Sequence, residues 1–274
     1  MSFQPILPLD GYVGWRFLQR TLDRQQETHA ASTQSQRDQA YFRANIAAVS
    51  NAQELVADRR LLSVALTAFG LQDDLLNRAF VEKVLESSHR DDRSFVNRLS
   101  DKRYLKLNQA FGFGDSIVPR NQFDGFADAL LSTYRDRSFE IAVGAQNDSM
   151  RLALALERDL ADLAAQPSSE ATRWYTILGT PSMRRVFETA FMLPSSFGTL
   201  DLERQVDILK TRTEKLTGSD EVAQFADPEA VETLIRQFFL GEQVQQINAA
   251  AVAGSGALTL LQQGQSSLRA MLGR

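Results

Sequence analysis

The sequence predicts an all-α protein: a duplicated three-helix unit flanked by long terminal helices, packed in a bundle-like way. Three observations carry that reading. Apolar residues recur at intervals of three and four over most of the chain. Seven prolines and few β-branched clusters leave little room for sheet. A pattern also recurs at a nearly fixed offset, the mark of a repeated supersecondary unit. Leu55-Val56-Ala57-Asp58, Val64 and Thr67-Ala68-Phe69-Gly70-Leu71 are matched, 122 residues later, by Ile177-Leu178-Gly179-Thr180, Val186 and Thr189-Ala190-Phe191-Met192-Leu193. Leu99-Ser100-Asp101 opens a run that closes at Phe113-Gly114, and Phe225-Ala226-Asp227, at an offset of 126, opens another that closes at Leu240-Gly241.

Taken in order, residues 1–50 read as a leader with Pro5, Pro8, Gly11 and Gly14, then a long polar helix from Trp15 to about Ala48. Its stripe of Trp15, Leu18 and Leu22 fades before Tyr41, Phe42 and Ile46. Such a helix needs another element or a partner to hold it. Residues 51–166 form the first repeat and its connecting helices. Asp58 stands at an N-cap, Leu62, Ala65, Leu66 and Phe69 share a face, and Gly70 ends that helix. Asp73 or Asp74 caps the next, which carries Leu76, Phe80 and Val84, and Asp101 caps the third, which closes at Phe113. Between the copies, Phe123, Phe126, Leu130, Leu131 and Tyr134 make one stripe, and Met150, Leu152, Leu154 and Leu156 contribute to another. Gln166-Pro167-Ser168-Ser169 marks the boundary.

Residues 167–241 form the second repeat. Thr180 precedes Pro181 at the first helical position, Asp201 to Leu216 turns Leu202, Val206 and Leu209 inward, and Asp227-Pro228 repeats the cap-plus-proline start. Residues 242–274 read as a polar helical tail rich in Gln, Ala, Ser and Gly, with Gly254-Ser255-Gly256 as a hinge. The expected caps are therefore Asp58, Thr180, Asp101 and Asp227, and the expected repeat core is Phe69, Phe191, Phe113 and Phe239.

Composition narrows the partners. A net charge of −4 argues against nucleic acid. No apolar run approaches the ~20 residues of a membrane-spanning helix. The start, Met1-Ser2-Phe3-Gln4-Pro5, lacks the basic and apolar blocks of a secretory signal. With no cysteine there are no disulfides, zinc-thiolate sites or thiol nucleophiles. Glu82, Glu86 and His89, at i, i+4 and i+7, resemble part of a carboxylate metal site without its second helix. Phe111-Gly112-Phe113-Gly114-Asp115 reads as a helix stop rather than a phosphate loop, which would need a strand before it and a lysine. Arg59-Arg60 and Arg184-Arg185 read as solvated helix faces, and Phe238-Phe239 as core or an exposed partner patch. No cofactor is expected.

These residues together resemble a known family. Gly14-Trp15-Arg16-Phe17-Leu18-Gln19-Arg20-Thr21, Arg37-Asp38 with Tyr41-Phe42, Leu55 to Leu62 with Ala68-Phe69-Gly70-Leu71, Phe187-Glu188-Thr189-Ala190, Leu193-Pro194-Ser195-Ser196-Phe197-Gly198, Gln224 to Glu229 and Ala257 to Gln262 are similar to the bacterial domain-of-unknown-function family 1217. The resemblance implies a setting among flagellar genes and brings no catalytic residues with it. The expectation is a non-enzymatic helical interaction protein of the flagellum, with a protein partner, located in the cytoplasm or exported through the flagellar system. The alternatives are a cytosolic export chaperone or regulator of a flagellar subunit, and a metal-dependent enzyme built around Glu82, Glu86 and His89.

Overall fold

A computed structural model describes residues 3–249 of the chain. Among these residues the regular structure is helical throughout: α1 (Gly11–Ala30), α2 (Thr33–Asn45), α3 (Ala52–Ala57), α4 (Arg59–Ala68), α5 (Arg78–Glu86), α6 (Lys102–Phe111), α7 (Phe126–Gly144), α8 (Asp148–Ala165), α9 (Glu170–Gly179), α10 (Pro181–Ala190), α11 (Leu202–Thr217) and α12 (228–249), with short 3-10 turns between them. The all-α, bundle-like class is therefore observed. The chain divides into two compact units, Met1–Ala155 and Leu156–Arg274, the division falling within α8. Gly254-Ser255-Gly256 and most of the expected tail lie outside the described residues.

The first unit is built around α4. Leu61, Leu62, Val64, Ala65, Leu66, Thr67 and Ala68 are all buried. A helix apolar nearly all round can sit only in the middle of a core. α7 and α2 pack against it, and α7 also packs on α1. α7 supplies Leu130, Leu131, Tyr134, Phe139 and Val143 to the interior.

The N-terminal arm departs from the expected single helix. α1 begins at Gly11, and the helix breaks at Ala31–Ser32, where the Ser32 hydroxyl accepts from the Ser35 amide and restarts it as α2. The arm lies against the rest of the unit: Trp15, Leu18 and Phe42 are completely buried. The residues before α1 are extended and held by side chains. The Gln25 carboxamide accepts from the Ile6 amide (2.7 Å) and donates to the Ile6 carbonyl (3.2 Å). Gln146 donates to the Pro5 carbonyl.

Near the end of α1, His29 packs edge-on against Phe3 and Phe139, and its Nε2 is 3.1 Å from the Ser138 hydroxyl. Burial pulls the His29 pKa below its ordinary value, because the charged imidazolium is the costlier form in these surroundings.

In the second unit, Trp174 of α9, Phe187 of α10 and Phe225 meet edge to face, with centroids 5.9 and 6.0 Å from Phe187. The Trp174 indole N–H donates to the Asp220 carbonyl. α12 adds Val231, Leu234, Ile235, Phe238 and Phe239 to this core. It does not stop at Gly241 as expected. Gly241 is buried inside the helix, and a Cβ there would run into the Thr189 carbonyl, so this glycine permits a close crossing instead of ending the element. Leu76 and Leu202 also depart from the inward positions expected of them, at 84 % and 53 % exposed. Gln72–Leu76 coils as a 3-10 turn, so α5 starts only at Arg78, and its inward face is Val81, Val84 and Leu85. Neither Asp73 nor Asp74 caps α5; Asp74 instead accepts from the Asn77 amide group (2.7 Å) and the Tyr104 hydroxyl (2.5 Å).

α4 and α10 close in the same way. The Leu71 amide bonds the Leu66 carbonyl (2.8 Å) and the Leu193 amide bonds the Glu188 carbonyl (2.9 Å). Gly70 bonds Thr67, and Met192 bonds Thr189. This is the Schellman closure, which puts one residue in the left-handed region. Gly70 takes it at φ +70° without strain, whereas Met192 takes it at φ +50° and is 53 % exposed. A non-glycine residue there costs ~1–2 kcal/mol.

Two outcomes follow. Met192→Gly should raise stability by about 1 kcal/mol in chemical denaturation, and Gly70→Ala should lower it by a similar amount. Acidification should destabilise the first unit through His29. A base whose folded pKa is depressed favours the folded state most above its unfolded pKa, and that advantage shrinks as pH falls below about 6.5. The His29→Phe variant, which cannot titrate, should show a slope of stability against pH shallower by at most ~1.4 kcal/mol per unit in this range, read from denaturation midpoints.

Candidate functional site

The expected caps occupy distinct positions. Asp58 accepts from the Arg60 and Leu61 amides at 2.9 and 3.0 Å and from the Tyr41 hydroxyl at 2.6 Å. Burial alone would raise its pKa; the Tyr41 hydrogen bond and the Leu61 and Arg60 amides outweigh burial and hold the carboxyl below its ordinary value. Asp101 accepts from the Arg103 amide and pairs with the Arg103 guanidinium, which also reaches the Gly70 carbonyl. Asp227 accepts from the Glu229 amide (3.0 Å). Thr180 precedes α10 but does not cap it by its side chain: the hydroxyl donates back to the Thr176 carbonyl (2.8 Å), and Pro181 removes one of the amides a cap would serve. Of the expected repeat core, Phe191 and Phe239 are buried, while Phe69 and Phe113 are only half-buried against the first unit's core. Phe111, completely buried, fills that place beside Phe113. Phe238 is completely buried too, so Phe238-Phe239 is not an exposed patch.

Glu82, Glu86 and His89 do not form a ligand face. α5 ends at Glu86, and Ser87 is extended, so His89 leaves the helix whose spacing suggested a metal. Among the described residues no group of three or more His, Asp or Glu side chains is placed to hold an ion. One arginine of each pair is engaged locally: Arg60 lies 3.9 Å over the Tyr41 ring, and Arg184 bonds Glu188 (2.7 Å) and Gln205 (3.1 Å).

The most organised polar cluster joins the end of α5 to the turn after α6. Asn108 of α6 is completely buried. Its amide nitrogen donates to the Val84, Leu85 and Ser87 carbonyls at 2.8, 3.2 and 2.7 Å, satisfying the open end of α5. Its oxygen lies 3.1 Å from His89 Nδ1, and Asp115 Oδ2 lies 2.6 Å from the same nitrogen. Both neighbours are acceptors, so the network assigns the proton to Nδ1. Asp115 also accepts from the His89 amide (2.7 Å) and the Ser88 hydroxyl (2.5 Å). Burial would raise the Asp115 pKa, but the Ser88 hydroxyl, the His89 amide and the His89 ring outweigh it and hold the carboxyl below its ordinary value. Serine and histidine both bind the carboxylate here; a nucleophilic triad instead needs the serine hydroxyl on the imidazole. The arrangement works as a clamp.

The clamp seats the loop from 112 to 125. Gly112, at φ +70°, turns the chain out of α6. A Cβ on Gly114 would stand 2.5 Å from the Glu86 and Ser87 carbonyls, so the loop lies directly on the end of α5. Further along, the buried Asn121 donates to the Ile46 and Val49 carbonyls at 2.7 and 2.8 Å. Between these two fastenings the chain carries Ile117, fully exposed, and Val118, 48 % exposed; Phe123 follows at 60 %. The helix stop expected at Phe111 to Asp115 is thus observed, and it opens a loop pinned at both ends with aliphatic side chains in water at its tip. Sequence reasoning passed over Asn108 and Asn121. Asn108 had a signal, since it interrupts the apolar stripe of Tyr104, Leu107 and Phe111; Asn121 had none.

Removing the clamp's carboxylate should be costly. Asp115→Ala leaves the Ser88 hydroxyl and His89 donors without their acceptor and should destabilise the protein by about 2 kcal/mol in chemical denaturation. A carboxyl held low favours folding most above its unfolded pKa. The wild-type excess over Asp115→Ala should therefore persist at neutral pH and fade as pH drops below about 4.

Comparison with known proteins places this architecture. No curated protein matches the sequence. The crystal structure of a protein from Agrobacterium tumefaciens, determined by structural genomics, has the same fold: TM-score 0.70 at 24 % identity, over 88 % of this chain and 99 % of that one. A family profile described as "Protein of unknown function (DUF1217)" matches residues 68–231, from the end of α4 into α12. That span is more than half of the sequence, and the chain belongs to the DUF1217 family.

Proposed function

We propose that this protein is a non-enzymatic helical interaction protein serving bacterial flagellar assembly or function, built from a three-helix unit used twice. The interaction reading rests on one observation: the loop pinned by Asp115 and Asn121 holds Ile117 and Val118 in solvent. An aliphatic tip on a rigid mount gains free energy when a partner covers it, and little ordering entropy opposes the binding. The flagellar setting rests on the sequence resemblance to a family tied to flagellar genes. The twofold use of one unit is supported by the matching closures of α4 and α10 at Gly70 and Met192. Function as a cytosolic export chaperone differs from function as an exported component in location alone. Fractionation of cells and culture supernatant, with and without an active export system, separates the two.

Affinity capture from flagellated cells tests the proposal. The full chain should recover a flagellar component, and the Ile117→Asp/Val118→Asp double variant should lose that recovery about tenfold or more, since burying each aliphatic side chain contributes ~1.5–3 kcal/mol. Both positions are exposed, so the variant should keep its helical circular dichroism. Recovery of no flagellar component, together with normal motility in a deletion strain, would overturn the flagellar reading.

A further inference from the structure

α12 carries two apolar faces. The first, Val231, Leu234, Ile235 and Phe238, is buried in the second unit. The second is Leu240, Val244 and Ile247, exposed by 47, 41 and 60 %. At 3.6 residues per turn it points about 160° away from the first. The polar residues Glu229, Thr233 and Arg236 lie along the same side before Leu240, so the outward stripe begins where the inward one ends. From residue 243 to 249 every position is exposed, and among the described residues no core lies beneath any side of this stretch. Two turns of helix in that situation are marginal in water without something packed on them.

The pattern specifies the occupant. Spacings of four and then three residues make the narrow seam of a coiled coil, which fits one other helix rather than a broad surface. From Gln243 to Leu268 the sequence contains no charged residue, in a chain that is 23 % charged. In the sequence beyond 249, outside the described residues, Leu258, Leu261, Leu268 and Leu272 follow at intervals of three, seven and four, after the Gly254-Ser255-Gly256 stretch. The seam's flanks in this stretch, Gln243 and Asn248, are amides, each both donor and acceptor and so complementary to an identical group. Flanks without charge offer nothing to a charged partner and impose no repulsion between identical helices, which like charges would do.

We propose that Leu240, Val244 and Ile247 form a self-association surface, paired in solution with the same stripe of a second copy of this chain. The proposal goes beyond the interaction reading above and stands on the α12 stripe alone.

Two measurements on the full-length protein test it. In sedimentation equilibrium the wild type should show a multiple of its 30.6 kDa chain mass, and the Val244→Glu/Ile247→Glu variant should fall to a single chain with unchanged helicity. The chain has no cysteine, so Ile247→Cys introduces a single thiol. Under mild oxidation it should give a disulfide-linked dimer several-fold faster than Leu76→Cys, a more exposed control position in the first unit. A wild type that stays at one chain mass at every concentration, a glutamate variant that keeps the multiple, or equal linking at both thiols would overturn the proposal. The first of these results is expected if another part of the chain or a different protein covers the stripe. A dimer with normal motility on deletion would count against the flagellar reading alone, and a single chain with a motility defect against self-pairing alone.

Discussion

The side-chain amide of Asn108 decides how the first unit is assembled around its loops. A helix of nine residues such as α5 leaves most of its last carbonyls without intrahelical partners, and buried carbonyls without partners are costly. Asn108 reaches across from α6 to supply the missing donors and turns its oxygen to His89, which is thereby set against Asp115. Termination of one helix, orientation of the histidine and seating of the following loop all depend on one buried residue. Short helices have many ends for their length, and in this chain much of the polar chemistry is consumed by closing them.

What could be read from the sequence follows the same division. Helical class, the stripes of α4, α7 and α8, and the closing turns after α4 and α6 were legible because they depend on periodicity, on glycine and on acidic residues before apolar runs. The break between α1 and α2 was not. Ser32 caps α2 within a stretch of Thr, Ser and Gln that would serve equally well inside a helix. Leu76 and Leu202 were misplaced because spacing alone does not reveal a 3-10 turn or the first exposed turn of a helix. Gly241 reads as a stop, yet it serves a close crossing that only the neighbouring Thr189 backbone explains.

The candidate site was less legible than the fold. His89 was singled out for a helical spacing that ends before reaching it, and its real partner, Asp115, lies beyond a whole intervening helix. Contacts made across a turn between two helices leave no fixed spacing in the sequence. The caps fared better because their chemistry is local: Asp58 and Asp101 meet amides two or three residues ahead. Thr180 shows how neighbouring chemistry redirects even a local expectation, since its hydroxyl turns to the preceding helix once proline follows it.

α7 also governs when the first unit can form. Ser138 meets His29, Asp128 meets Arg43, and just outside the helix Asn121 and Gln146 reach back to Ile46 and Pro5. These partners are separated by 75 to 141 residues. A ribosome delivers the early helices long before the segment that holds them together, so α1 through α6 emerge without their keystone. Such distant closures slow folding by the loop entropy they must overcome. The unit therefore completes itself late, around a helix that arrives after more than a hundred residues are already waiting.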